Sequence, residues 1–199
     1  MRRLRSLLYL SPIDYRFGLL TLAVYFTLVL NWKVLSHFYG ILVGLGDYDA
    51  GFAISAPFVL ICASLVVFTP FSWRYLFKPF FVSLIITGAL AHYAMLRYGI
   101  VFDRGMIENV VETNQGEALS YFNLQAGLWF AVTGLLPTAI LILVPLKFPK
   151  TVLRGIGQRV VLMVVPLLVL GGIGSLYFKD YASVGRNHKV LGKELVPSN

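Results

Sequence analysis

The chain is a succession of long apolar stretches cut by charges. Stretches free of Asp, Glu, Lys and Arg cover residues 17–32, 50–73, 79–96, 118–146 and 160–178. A helix needs about 20 residues to cross the hydrocarbon core of a bilayer. The first stretch is short, but a lysine at its end, Lys33, can snorkel and let it extend past Leu35. Residues 34–46 are also uncharged and carry Gly40, Gly44 and Gly46, which reads as the end of the first span plus a turn. The pattern predicts an all-α integral membrane fold of five transmembrane helices, at about 17–36, 52–70, 79–97, 122–145 and 160–178. Pro137 and Pro166 fall inside the fourth and fifth spans. Each removes a backbone donor and predicts a kink. Gly171-Gly172-x-Gly174 and Gly40-x-x-x-Gly44 predict close helix approach.

Composition agrees. Of 199 residues, 58% are hydrophobic and only 13% charged, with a mean hydropathy of +0.77. That excludes disorder, a nucleic-acid tail and a soluble domain, which at this length cannot hide so much apolar surface. The lone cysteine, Cys62, excludes an internal disulfide.

Charge sets the orientation. One side carries Arg2, Arg3, Arg5, Arg16, Arg74, Lys78, Lys147, Lys150, Arg154 and Arg159 against Asp14, a balance of +9; the other side balances at −1. By the positive-inside rule the first side is cytoplasmic. The N-terminus is then inside and the C-terminus outside. No small-x-small cleavage site follows the Arg-rich start, so it reads as an uncleaved anchor.

Candidate chemistry is sparse. The spans carry no charge in their middles, which counts against a pump or channel. His92 lies near the outer end of the third span, where a lone histidine reads as an interhelical hydrogen-bonder. Three scattered histidines and one cysteine make no metal motif. The outer loop between spans three and four is richer. Met106, Ile107, Val110, Val111, Ala118 and Leu119 form an apolar face, with Asp103 as a candidate N-cap. Asn109, Thr113 and Glu117 recur every fourth residue and so line up along the opposite face, beside an acidic row of Glu108 and Glu112. The pattern predicts an interfacial amphipathic helix. An acidic and amide stripe at headgroup level suits an ammonium group; the same stripe also serves simply to keep a loop helix soluble.

Two segments carry a resemblance. The run Tyr98-Gly99 … Met106-x-x-Asn109-x-x-Glu112-Thr113-Asn114-x-x-Glu117-Ala118 resembles the outer loop of the lipid A phosphoethanolamine transferases. These are inner-membrane enzymes of Gram-negative bacteria that include the mobile colistin-resistance proteins. The tail Lys179-Asp180-Tyr181-Ala182-Ser183 … Arg186-Asn187-His188-Lys189 … Pro197-x-Asn199 resembles that family's bridge from its fifth span to a soluble domain. The resemblance implies a membrane domain over 1–178 and a periplasmic bridge over 179–199. It implies transfer of phosphoethanolamine from phosphatidylethanolamine to lipid A or lipooligosaccharide. Asn109, Thr113 and Glu117 would bind the donor lipid. The family's threonine nucleophile and zinc belong to a periplasmic domain that would follow the bridge. This chain is therefore expected to hold no catalytic residue and no metal, to be inactive alone, and to have that domain, the membrane and the two lipids as partners, with no nucleic acid. The competing expectation is a stand-alone membrane lipid-binding or assembly protein without catalysis.

Overall fold

In the computed structural model, residues 11–46, 48–99, 124–188, 191 and 194–195 are described. A two-residue strand β1 (Ile13–Asp14) leads into helix α1 (Tyr15–Tyr25), a π-helical turn (Phe26–Leu30) and α2 (Trp32–Leu45). Then come α3 (Ala50–Phe68), a 3₁₀ turn (Thr69–Phe71) and α4 (Phe77–Tyr98). After the undescribed segment lie α5 (Leu124–Phe130), a second π-helical turn (Ala131–Leu135) and α6 (Leu136–Leu143). Strand β2 (Leu146–Lys147) pairs parallel with β1, and α7 (Val152–Asn187) follows.

Four helical stretches are long and apolar enough to cross a membrane: Ala50–Phe71, Phe77–Arg97, Leu124–Leu143 and Val152–Asn187. The pair Tyr15–Leu30 and Trp32–Leu45, bent by 59°, makes a fifth if it is one span. The expected five-helix membrane fold is therefore present, with differences in detail. The first span does not end in a turn near residue 36. It bends at Asn31 and stays helical to Leu45, and the turn comes only at Gly46, whose φ of 75° favours glycine. The cause is local: the Asn31 backbone N–H reaches back five residues to the Phe26 carbonyl (2.8 Å), and its side-chain amide donates to the same oxygen (3.0 Å). The fifth span is longer than expected, and its one non-helical residue is Tyr177, not Pro166. At Gly40, Gly44, Gly171, Gly172 and Gly174 an added Cβ would meet nothing within 4 Å, so none of them serves close helix approach within the described chain.

Two prolines do shape the bundle, through their orphaned carbonyls. A proline leaves the carbonyl four residues earlier without a helical donor. Pro137 does this to Thr133, and the phenol of Tyr25 donates to that carbonyl from α1. Pro57 does it to Ala53, and the phenol of Tyr39 donates there at 3.1 Å. Each tyrosine thus ties the first span to a proline-broken neighbour.

The core divides into two clusters. Towards the β1–β2 end, Leu19, Phe26, Phe68, Phe77, Phe81 and Ile85 pack together, their rings mostly edge-on. At the same end Arg159 is buried, lies 4.0 Å from the Trp73 ring, and donates to Ser72 Oγ, the Ser72 carbonyl and the Gly155 carbonyl. At the other end Leu35, Phe38, Leu42, Phe52, Ala56 and Val184 form the second cluster, which glues the end of α7 to α2 and α3.

Candidate functional site

The stripe Asn109, Thr113 and Glu117, with its N-cap Asp103 and apolar face, lies outside the described residues. Its root does not. Helix α4 ends at Tyr98 and is closed by Gly99 in the left-handed conformation (φ 64°). The carbonyl of Met95 belongs to the last turn, where helical donors run out. The Lys33 ammonium donates to it at 2.8 Å. A cation there also complements the negative end of the helix dipole. The sequence predicts that Lys33 snorkels from the end of the first span. It instead lies well inside the bent pair, just past Asn31, and the bend turns it across to α4.

The same ammonium lies 3.7 Å from Oε1 of Glu194. The other carboxylate oxygen, Oε2, lies 2.9 Å from Nδ1 of His37. Glu194 is 4% exposed. A carboxylate buried to that degree needs partners for both oxygens, and α2 supplies them one turn apart, at Lys33 and His37. Helical spacing puts these two on one face, a signal present in the sequence. Their partner, 157 residues beyond His37, is not legible there.

Below this ion cluster the end of α7 is seated by aromatic contacts. The Phe52 ring meets the Tyr181 ring edge-on at 4.7 Å and the Phe38 ring at 5.4 Å. Tyr181 and Ser55 hydroxyls are 2.6 Å apart. At the kink, the Tyr177 hydroxyl lies directly over Gly51, where any Cβ would collide with it. The Asp49 carboxylate caps the same turn of α3 through the N–H groups of Gly51 and Phe52 (2.6 and 3.2 Å). An apolar hollow of about 160 Å³ remains between Val34, Phe38, Leu60, Tyr181 and Leu191.

His92 behaves as expected of an interhelical residue. It is 1% exposed, bonds to the backbone of Leu30 and stacks on Trp129 at 5.7 Å. Among the described residues no three of His, Cys, Asp and Glu come together. One carboxylate beside an imidazole and an ammonium is not a zinc donor set. The cluster ties three segments of chain together.

Residues 60–199, which include the outer loop and everything after it, match the family model for phosphoethanolamine transferase EptA/EptB. The chain belongs to this family. It corresponds to the N-terminal transmembrane domain of the phosphoethanolamine transferases. It is 34% identical over 146 residues to phosphoethanolamine transferase EptA of Escherichia coli strain K12, covering 73% of this chain and 27% of that protein. It is 31% identical over 150 residues to phosphatidylethanolamine transferase Mcr-1 of Escherichia coli, covering 75% of this chain and 28% of that one. In three dimensions it resembles the integral membrane lipooligosaccharide phosphoethanolamine transferase A of Neisseria meningitidis. The TM-score is 0.85 at 27% identity, over 95% of this chain and 35% of that structure. The chain thus spans about a quarter to a third of the length of these relatives.

Proposed function

We propose that this chain is the membrane anchor and donor-lipid-binding part of a phosphoethanolamine transferase, which moves phosphoethanolamine from phosphatidylethanolamine to lipid A or lipooligosaccharide. The observation that carries the proposal is the family match over residues 60–199, which takes in the outer loop and the bridge together. The donor's ammonium pairs with Glu117, while Asn109 and Thr113 hydrogen-bond its phosphate or hold the carboxylate. Residues 1–178 anchor the protein in the bacterial inner membrane with the N-terminus cytoplasmic, and 179–199 lead towards a periplasmic domain. Catalysis and zinc belong to that domain, and the chain alone is inactive. Transfer of a phosphoethanolamine group lowers the negative charge of the acceptor lipid, which weakens its attraction for cationic polymyxins.

The test is donor binding by the chain itself. In nanodiscs of phosphatidylglycerol, short-chain phosphatidylethanolamine should bind in preference to short-chain phosphatidylcholine, whose methylated ammonium cannot donate hydrogen bonds. A charge-assisted hydrogen bond contributes about 1.5–3 kcal/mol, so Glu117→Gln should weaken donor binding by about 10- to 100-fold. Equal affinity for the two lipids, unchanged in Glu117→Gln, would favour a stand-alone membrane protein without a donor site.

A further inference from the structure

The connector from α6 to α7 is pinned at three points and carries cations between them. Leu146 and Phe148 pack against the core, and the Phe148 ring stacks on Tyr15 at 5.2 Å. Backbone pairing holds Leu146 and Lys147 beside Ile13 and Asp14. Pro149 lies so close to Gly155 that a Cβ there would come within 3.2 Å of it. Lys147 and Lys150, set among these anchors, are exposed, as is Arg154 in the first turn of α7. Their backbones are already fixed, so less ordering is left to oppose the binding of an anion.

Among the described residues none of these three cations has an acid of its own. The ladder sets Asp14 opposite Lys147, but Arg16 takes both Asp14 oxygens at 2.9 and 3.1 Å. Arg154 is near enough to favour the Asp14 charge, yet makes no ion pair with it. Arg16, Lys147, Lys150 and Arg154 thus stand around a single carboxylate, which leaves a strong positive field. Other cations at this end are occupied differently. Lys78 and Arg159 donate to main-chain carbonyls, and Arg74 lies 5.9 Å from the centre of the Tyr75 ring.

Apolar surface adjoins the cations. Val152, Leu153 and Ile156 on α7 and Phe17 on α1 are all exposed. A free phosphate would use only the charges. A phospholipid uses both parts, its phosphate at the cations and its chains along the apolar helix surfaces. A zwitterionic headgroup brings an ammonium into the same positive field and forfeits much of the attraction; a headgroup of net negative charge does not.

From this arrangement we infer that Lys147, Lys150 and Arg154 form a docking surface for one anionic phospholipid at the β1–β2 end of the bundle. This is the opposite end of α4 from Met95 and Gly99, so the inference is independent of any donor site beyond that helix. The positive-inside rule accounts for an excess of cations at this end, but it weighs their number and asks for no fixed place. The site claimed here depends on which cations are present.

The test uses the whole chain purified in a neutral detergent. Dioleoyl phosphatidylglycerol and, as zwitterionic control, dioleoyl phosphatidylcholine are titrated in, and bound lipid is counted by native mass spectrometry. One phosphatidylglycerol should bind at about 10-fold lower concentration than phosphatidylcholine. Lys147→Gln and Arg154→Gln should each weaken that binding about 5-fold, the effect of one basic residue at an anionic headgroup, and Lys147→Arg should retain it. Asp14→Asn removes the competing acid and should tighten it. Arg74→Gln deletes the same charge in a neighbouring loop and should change it less than about 2-fold. Equal affinity for the two lipids in the parent overturns the inference. So does parent-like binding in both Lys147→Gln and Arg154→Gln, or weaker binding in Asp14→Asn. A loss in Arg74→Gln as large as in Lys147→Gln overturns it as well, because the attraction is then diffuse charge and not a site.

Discussion

The phenol of Tyr25 donates a hydrogen bond to the main-chain carbonyl of Thr133, 108 residues away and on another span. That carbonyl lies four residues before Pro137, in the π-helical turn that precedes α6. Tyr39 does the same for Ala53, four residues before Pro57. Inside a membrane no water can replace a missing helical donor, so each proline is tolerated because a neighbouring helix supplies a hydroxyl.

Tyr25→Phe should therefore destabilise the bundle by about 0.6–1.7 kcal/mol, the scale of interhelical hydrogen bonds in membrane proteins. Pro137→Ala returns a helical N–H to the Thr133 carbonyl, and in that background Tyr25→Phe should cost far less. Unfolding in mixed micelles by SDS titration reads the cycle. Strict additivity of the two substitutions would mean that the phenol does not act through the orphaned carbonyl.

Arg159 is one of the ten basic residues whose charge is expected to orient the chain. Its surroundings give it a second role. It is 8% exposed, spends three donors on Ser72 and Gly155, and lies against the rings of Trp73 and Tyr15 at 4.0 and 5.2 Å. A lysine has neither the planar fork nor the stacking face. Arg159→Lys should keep the orientation yet lose more than about 2 kcal/mol, since bonds to a charged donor contribute about 1.5–3 kcal/mol each. The same SDS titration measures the loss. A change under about 0.5 kcal/mol would mark the arginine as a mere topological charge.

These cases show where the sequence is legible. The span count follows from charges alone, because a charge in hydrocarbon is costly wherever the neighbours are. The first span's bend depends on the few residues around Asn31, and an asparagine in an apolar run has no fixed consequence. The tyrosine–proline pairings and the contacts of Lys33 with Met95 and Glu194 join residues 62 or more positions apart, except Tyr39 and Ala53, so no local pattern encodes them. For the candidate site, the stripe is visible as helical spacing, whereas the node that holds its root is not. Lys33 and His37 look like ordinary residues of a span end, and Glu194 like one loop acid among eight.

Asp14 offers a pH test. It caps α1 by accepting from the Arg16 N–H and takes a two-pronged side-chain bond from the same arginine at 2.9 and 3.1 Å. The side-chain bond from Arg16 holds the Asp14 carboxyl below its ordinary value of 3.8, with partial burial opposing. A carboxyl lowered in the folded chain stabilises fully above its unfolded pKa, and that contribution fades as pH falls through the folded value. An asparagine at this position would still cap the helix, so Asp14→Asn isolates the charge. The substitution should lower the melting temperature slightly at about pH 7 and not at all at about pH 2. The pair is half exposed and screened, so the gap should stay below about 1 kcal/mol. A gap that grows in acid would reverse the sign and refute the assignment.

The orientation prediction follows from charge and is sharpened by what the basic residues do. Arg159 and Lys78, which donates to the Ile142 and Val144 carbonyls at 2.7 and 2.9 Å, are tied into the fold. Arg74, Lys147, Lys150 and Arg154 are exposed at the same end of the bundle. These exposed cations are the ones the positive-inside rule weighs at short loops, and their end should face the cytoplasm. Tyr75, 86% exposed in the same short loop, is a suitable reporter. Ser72 is not, because Arg159 occupies its hydroxyl and carbonyl. In a Cys62→Ser background, Tyr75→Cys should resist an impermeant thiol reagent in intact spheroplasts and react after lysis. Gly116→Cys, in the loop between spans three and four, should react in intact spheroplasts. The reverse pattern would place the donor-lipid stripe on the cytoplasmic face, where lipid A bound for the outer surface is not modified by a periplasmic domain. One measurement would then remove both the orientation and the transferase role proposed for the stripe.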